Sequence, residues 1–166
     1  MTYIFGVILI AVLLVIDQAI KQMTVLGMDI GDSYVVIKNF FSITSVRNTG
    51  AAWNLFNNQL AFFVVVTIIA LGIFTYFFIK ADHQKKPVYF FGISLMIAGT
   101  LGNFIDRLFY PNHAVVDMFA FTFIDFPVFN FADSCLVIGI ILFAIDFLFL
   151  EKEKKENGKW YYKDKY

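Results

Sequence analysis

Apolar residues run almost without interruption through four stretches of the chain, approximately Tyr3 to Leu26, Leu60 to Ile79, Val88 to Phe109 and Val128 to Leu150. Each has about 20 residues or more, enough for a helix to cross roughly 30 Å of hydrocarbon. The first lacks a basic n-region and an A-x-A-like cleavage site and continues past Asp17, so we expect a retained span rather than a secretory signal. The second and third are joined by "KADHQKKP", a charged turn whose proline can open the next helix. Residues Glu151 to Tyr166 are equally hydrophilic. In the longer connections, Gly27 to Gln59 and Tyr110 to Pro127, the period changes. Phe41, Ile43 and Ser45 alternate with Ser42, Thr44 and Val46, predicting a half-buried strand, and "HAVVDMF" predicts a second short one. Trp53, Phe56, Phe119, Phe121, Phe123 and Phe126 suit the headgroup belt, where aromatic rings collect.

The expected fold is therefore an all-α membrane protein, one polytopic domain over residues 1–166, with four transmembrane helices and a small extracytoplasmic β-sheet at the membrane surface. Composition agrees: 60% of the 166 residues are hydrophobic and only 16% charged, against an apolar share of about 45–50% in soluble domains. Charge sets the orientation. Nine of the thirteen basic residues (Lys80, Lys85, Lys86 and six lysines of the tail) fall on one side, so the positive-inside rule puts that side and both termini in the cytoplasm. The net charge of zero provides no field for polyanions, and no nucleic-acid partner is expected.

The polar residues inside the spans are few and converge on one level. At about 1.5 Å per residue from the outer ends, Lys21 lies roughly 8 Å deep, Asp17 roughly 14 Å and Asp133 roughly 9 Å, with Asn103, Asp106 and Arg107 comparable. Asp17 and Lys21, spaced i,i+4, either pair with each other or contact a substrate. Asn103, Asp106 and Arg107 share a helical face, and Arg107 either snorkels to headgroups or faces the interior. Asp146, near the cytoplasmic end, reads as interfacial.

Asp133 has no basic residue one turn away, only Asn130 at i−3. A lone carboxylate in hydrocarbon is neutralised rather than left charged. Asp117 follows the strand-like "AVV" close to the fourth span, near enough for a short loop to bring it over Asp133. Two such carboxylates share a proton, the electronic arrangement of an aspartic protease. On spacing alone this stays one hypothesis among several. A small ion- or proton-coupled carrier using intramembrane carboxylates is the alternative, and a non-catalytic assembly subunit is a third. A Cys135–His113 nucleophile pair lacks a suitable setting, and His83 and His113 are expected on opposite sides of the membrane, which disfavours zinc.

Several blocks, in order, resemble one family over essentially the whole chain. They are "DQAIK" (Asp17 to Lys21), "RNTGAAW" (Arg47 to Trp53), "AGTLGNFIDR" (Ala98 to Arg107), "VVDM" (Val115 to Met118) and "FNFADS" (Phe129 to Ser134). The family they resemble is the lipoprotein signal peptidases, or signal peptidase II, of bacteria. The resemblance implies that Asp117 and Asp133 are the catalytic dyad. It implies that Asp17, Lys21, Asn48, Gly99, Asn103, Arg107 and Asn130 support the dyad or bind substrate. It also implies an aspartic endopeptidase of the cell membrane, without metal or cofactor, that removes the signal peptide from diacylglyceryl-modified prolipoproteins just before the lipidated cysteine. Membrane lipid and globomycin-type inhibitors are the other implied partners, the active site faces the extracytoplasmic side, and a monomer is expected. Two positions depart from the family pattern: His113 stands where glycine is usual, four residues before Asp117, and Met118 stands where phenylalanine is usual. A third, Ile20 for threonine, is a minor change on a helix face.

Overall fold

The computed structural model describes residues 2–50, 56, 59–150, 153–156 and 159–162. Its order is α1 (Thr2–Gly27), β1 (Ser33–Ile37), β2 (Phe41–Asn48), α2 (Leu60–Ile79), α3 (Pro87–Phe109), β3 (Val115–Phe121), α4 (Phe131–Ile145), β4 (Glu153–Glu156) and β5 (Lys159–Tyr162). The four helices are long and apolar enough to cross a membrane, α4 by running on through a π turn, Asp146–Leu150. Ala51, Ala52 and Trp53 of the "RNTGAAW" block lie outside the described residues.

Among the four, α3 is the centre of the bundle. Half of its most apolar window is buried inside the protein against 6% for α2, so α2 is left as a lipid-facing buttress whose one buried residue is Phe78. Pro87 opens α3 at its first turn, where its missing N–H costs nothing. The contact between α3 and α4 is made by small residues, as expected where lipid supplies no hydrophobic drive and close backbone packing must. A Cβ on Gly139 would sit 2.7 Å from the Gly92 carbonyl, and one on Gly99 would collide with the Ala132 carbonyl.

The fourth helix begins three residues later than hydropathy suggests. Phe129 is taken by the sheet: its N–H donates to the Phe119 carbonyl (2.9 Å), and its own carbonyl accepts from the Met118 and Phe119 N–H groups. Asn130 then caps α4 in a reciprocal box with Asp133, whose N–H donates to Asn130 Oδ1 (2.9 Å). Asp133 therefore sits in the first turn, about 5 Å along the helix, shallower than the span count implies. Asp146 is also unlike the expectation: it is buried, 2% exposed, where α4 passes into the π turn.

Strands β1, β2 and β3 form an antiparallel sheet in that order. The expected alternation on β2 is interrupted. Between the pairs Ile43↔Phe119 and Val46↔Asp117, β2 carries one residue more than β3, and this bulge buries Ser42 and Ser45. The backbone of Ser45 is satisfied by Gly31 and Asp32 instead. Strand β1, "SYVVI", falls in the connection Gly27 to Gln59 where the β region is expected, but it is exposed throughout and shows no two-residue burial rhythm. The hairpin β4–β5 in the hydrophilic tail was not anticipated.

Candidate active site

A cavity of about 350 Å³ opens where the sheet meets the C-terminal end of α3 and the N-terminal end of α4, and Asn48, Asn103, Arg107, Asp117 and Asp133 line it. The two aspartates arrive from different elements, β3 and α4, and are held together by the segment between them. The peptide N–H of Asn130 donates to Asp133 Oδ2 (3.1 Å), while its side-chain amide donates to Asp117 Oδ1 (2.7 Å) and to Asn103 Oδ1 (2.9 Å). Asn130 is fully buried. Asn103 in turn donates to Asp133 Oδ1 (2.6 Å), and Asn48 donates to Asp117 Oδ2 (3.0 Å). Each carboxylate thus accepts two N–H bonds, all from neutral donors, and no cation bonds either one among the described residues.

Burial pushes the Asp117 carboxyl up to about 7, and the neighbouring charge of Asp133 adds to the rise. The amides of Asn48 and Asn130 and the more distant Lys21 work against it and do not cancel it. Asp117 therefore holds a proton at pH values where an ordinary aspartate has lost it.

Arg107 does not snorkel away. Its guanidinium donates to the Gly50 carbonyl (2.8 Å) and lies 3.8 Å from the Phe63 ring centroid, closing one side of the cavity. Arg47 has a supporting part: its Nε donates to the Tyr110 hydroxyl (2.8 Å), tying β2 to the end of α3. Asp17 and Lys21 are behind the cavity rather than in its lining; they pair with each other at 3.0 Å and Lys21 also pairs with Asp106 at 2.9 Å. Gly99 is farther along α3, in the packing against α4. Asp106 belongs to the same buried group, and the half-buried Gln18 donates to it. Asp106 is visible in the sequence as a neighbour of Asn103 on one helix face, and Gln18 stands in the block "DQAIK" but is given no role there. Cys135 is buried in α4, and His83 and His113 sit beyond opposite ends of α3.

The departure at His113 has a structural counterpart. Asn112 (φ 57°) and His113 (φ 56°) both adopt left-handed backbone, which asparagine tolerates and histidine adopts at a cost of order 1 kcal/mol or more. A hydrogen bond between His113 Nδ1 and the Arg107 carbonyl (2.8 Å) offsets part of this. We expect His113→Gly to raise stability by up to about 1 kcal/mol with turnover unchanged. The thermal midpoint in detergent checks this, and a fall of similar size would show that the histidine contact outweighs the strain.

Comparison with known proteins places these residues in context. Residues 9–149 match the family described as signal peptidase (SPase) II. The chain is 45% identical over 141 residues to a lipoprotein signal peptidase of Lactiplantibacillus plantarum, covering 85% of this chain and 92% of that one. It is 48% identical over 153 residues to the lipoprotein signal peptidase of Staphylococcus aureus strain JH9, covering 90% and 92%. A bacterial membrane enzyme solved by the in meso method at 2.3 Å resolution is similar with a TM-score of 0.81 and 42% identity, over 92% of this chain and 94% of that one.

Proposed function

Because the chain belongs to the signal peptidase II family, whose members are lipoprotein signal peptidases, we propose that Asp117 and Asp133 are its catalytic pair and that it works as an aspartic endopeptidase. The observation that carries the proposal is Asn130, one residue that bonds both carboxylates at the edge of a cavity. Nothing in the fold or the relatives favours a carrier.

Asp117, protonated, donates to the scissile carbonyl oxygen, and Asp133 takes a proton from the attacking water. The product is a neutral tetrahedral diol. On collapse Asp133 returns its proton to the departing amine nitrogen while Asp117 recovers one from the diol, which restores the starting state. Asn48, Asn103 and Asn130 orient the pair without neutralising it, and Arg107 shapes the cavity wall. The substrates are prolipoproteins, cut before the lipidated cysteine. We place the cavity on the extracytoplasmic side and both termini in the cytoplasm, because the lysines of the α2–α3 turn and the tail mark the inner face. The outer leaflet is where a diacylglyceryl anchor and a signal helix present the cleavage point. A monomer suffices, since one chain supplies both carboxylates, and globomycin-type peptides would compete for the cavity.

The pH profile follows from Asp117. Its carboxyl is raised to about 7, so below that pH the pair retains the proton that polarises the carbonyl, and above it both members are ionised and the acid is lost. We expect kcat/KM on a lipidated precursor to fall about tenfold per pH unit above about pH 7. A profile flat to pH 9 in a protein still folded there would contradict the acid role.

A further inference from the structure

Lys21, Asp17 and Asp106 form a buried cluster, 3%, 2% and 5% exposed. Lys21 Nζ bridges the two carboxylates and also donates to the Gly102 carbonyl (3.2 Å) and to Asn103 Oδ1 (3.1 Å). Gln18 Nε2 adds a second bridge, 3.1 Å from Asp17 Oδ2 and 3.1 Å from Asp106 Oδ1. A buried ion cluster of this kind is weak evidence for stability, because apolar side chains of equal volume often do as well. Two peptide contacts of the cluster are more informative. Asp17 Oδ1 accepts from the Ala132 N–H (3.0 Å), and Asp106 Oδ2 accepts from the Val116 N–H (3.1 Å). Ala132 immediately precedes Asp133, and Val116 immediately precedes Asp117.

We infer that Asp106 and Asp17 are positioning residues for the pair: each grips the peptide N–H one residue before a catalytic aspartate, and Lys21 supplies their counter-charge. This rests on the dyad reading above. The geometry gives the cluster a reach that packing alone lacks. Asp117 stands on a strand and Asp133 on a helix, and the Phe119–Phe129 pairing and Asn130 join them only through the segment between the two. The cluster joins α1, α3, β3 and α4 behind the cavity lining, and it meets Asn130 at Asn103 Oδ1, which accepts from both Lys21 and Asn130. The Ala132 N–H is an orphan donor of the first turn of α4, and without Asp17 it would be buried and unpaired. A displacement of about 1 Å at either carboxylate is enough to cost about 100-fold in rate.

Two double variants of the full chain, purified in detergent, isolate the grip from the charge. Lys21→Met/Asp106→Leu and Lys21→Met/Asp106→Asn both remove the lysine with one of its counter-charges, and asparagine and leucine are close in size. Only asparagine keeps an oxygen for the Val116 N–H. We expect the asparagine variant to retain kcat within about tenfold of wild type, and the leucine variant to fall about 100-fold further with KM changed less than about threefold. Its alkaline limb should also shift, because Asp117 is displaced from Asn48 and Asn130. Equal kcat in the two variants overturns the inference, even if their thermal midpoints differ, since the cluster would then serve only packing. Should the leucine variant fail to fold, the asparagine variant decides alone: folded protein with kcat down 100-fold or more overturns the inference. Asp117→Asn run alongside separates the two claims. If it keeps wild-type turnover the dyad reading fails, whereas if it is inactive and the two double variants match, only the positioning role fails.

Discussion

Asp133→Asn is expected to lower turnover of a lipidated precursor by about 1,000-fold or more while leaving a folded protein. The substitution is nearly isosteric. An asparagine at this site still presents an oxygen to the Asn130 N–H, which now comes at 3.1 Å, so the cap of α4 loses only part of its contribution, about 1 kcal/mol or less. On the proposed mechanism, what disappears is the base. General acid–base catalysis by a placed side chain contributes about 100- to 10,000-fold, and no other carboxylate lines the cavity beside Asp117 among the described residues. A protein that used Asp133 only as a capping residue would tolerate the change. Purified variant and wild type, matched by thermal midpoint and assayed by the mobility of precursor and mature lipoprotein, separate the two outcomes.

Gly99→Ala is expected to remove most of the folded protein, although it adds a single carbon. That carbon would collide with the Ala132 carbonyl oxygen and would meet the Leu136 N at 2.9 Å and the Leu136 Cβ at 3.2 Å. The first two are backbone atoms, so no rotamer change relieves the clash; α4 has to move away from α3. It cannot do so locally, because the Ala132 N–H is held by Asp17 and Asp133 is held by Asn103. Overpacking in a core costs about 1–3 kcal/mol and more where the backbone is pinned, and a shift of α4 also carries Asp133 out of the cavity. We expect a loss of about 3 kcal/mol or more, read as a collapse of the monodisperse fraction in detergent. An alanine variant with the wild-type midpoint and activity would show that α4 can slide.

The four spans are legible in the sequence because a run of about 20 apolar residues has few other uses. Their ends are less so. Val128 and Phe129 are apolar enough to extend the fourth run, yet Phe129 is claimed by β3 and Asn130 by its cap, both tertiary events that a count of hydrophobic residues does not register. The bulge on β2 breaks a two-residue rhythm for the same reason: Ser45 turns its backbone to Gly31 and Asp32, which lie outside the β2–β3 ladder. At the site, Asp117, Asp133, Asn130, Asn103 and Asn48 could be named from blocks of sequence and do meet in space. Asp106 could not be given a part, because accepting a peptide N–H from another element leaves no trace in residue spacing, and Gln18 could not because its amide donates across helices to Asp106 and the Gly102 carbonyl. His113 sits between: its departure from glycine is visible in the sequence, and the left-handed backbone it adopts is visible only in the fold.

The most direct measurement is a comparison of single-turnover cleavage by Asp117→Asn, Asp133→Asn and the double variant on one lipidated precursor. Two carboxylates that share one proton and act in the same step are lost together when either is lost. The expected result is that each single variant falls by about 1,000-fold or more and that the double variant is no slower than the slower single. A single variant with wild-type turnover, or losses that multiply in the double variant, would contradict the pairing of Asp117 with Asp133.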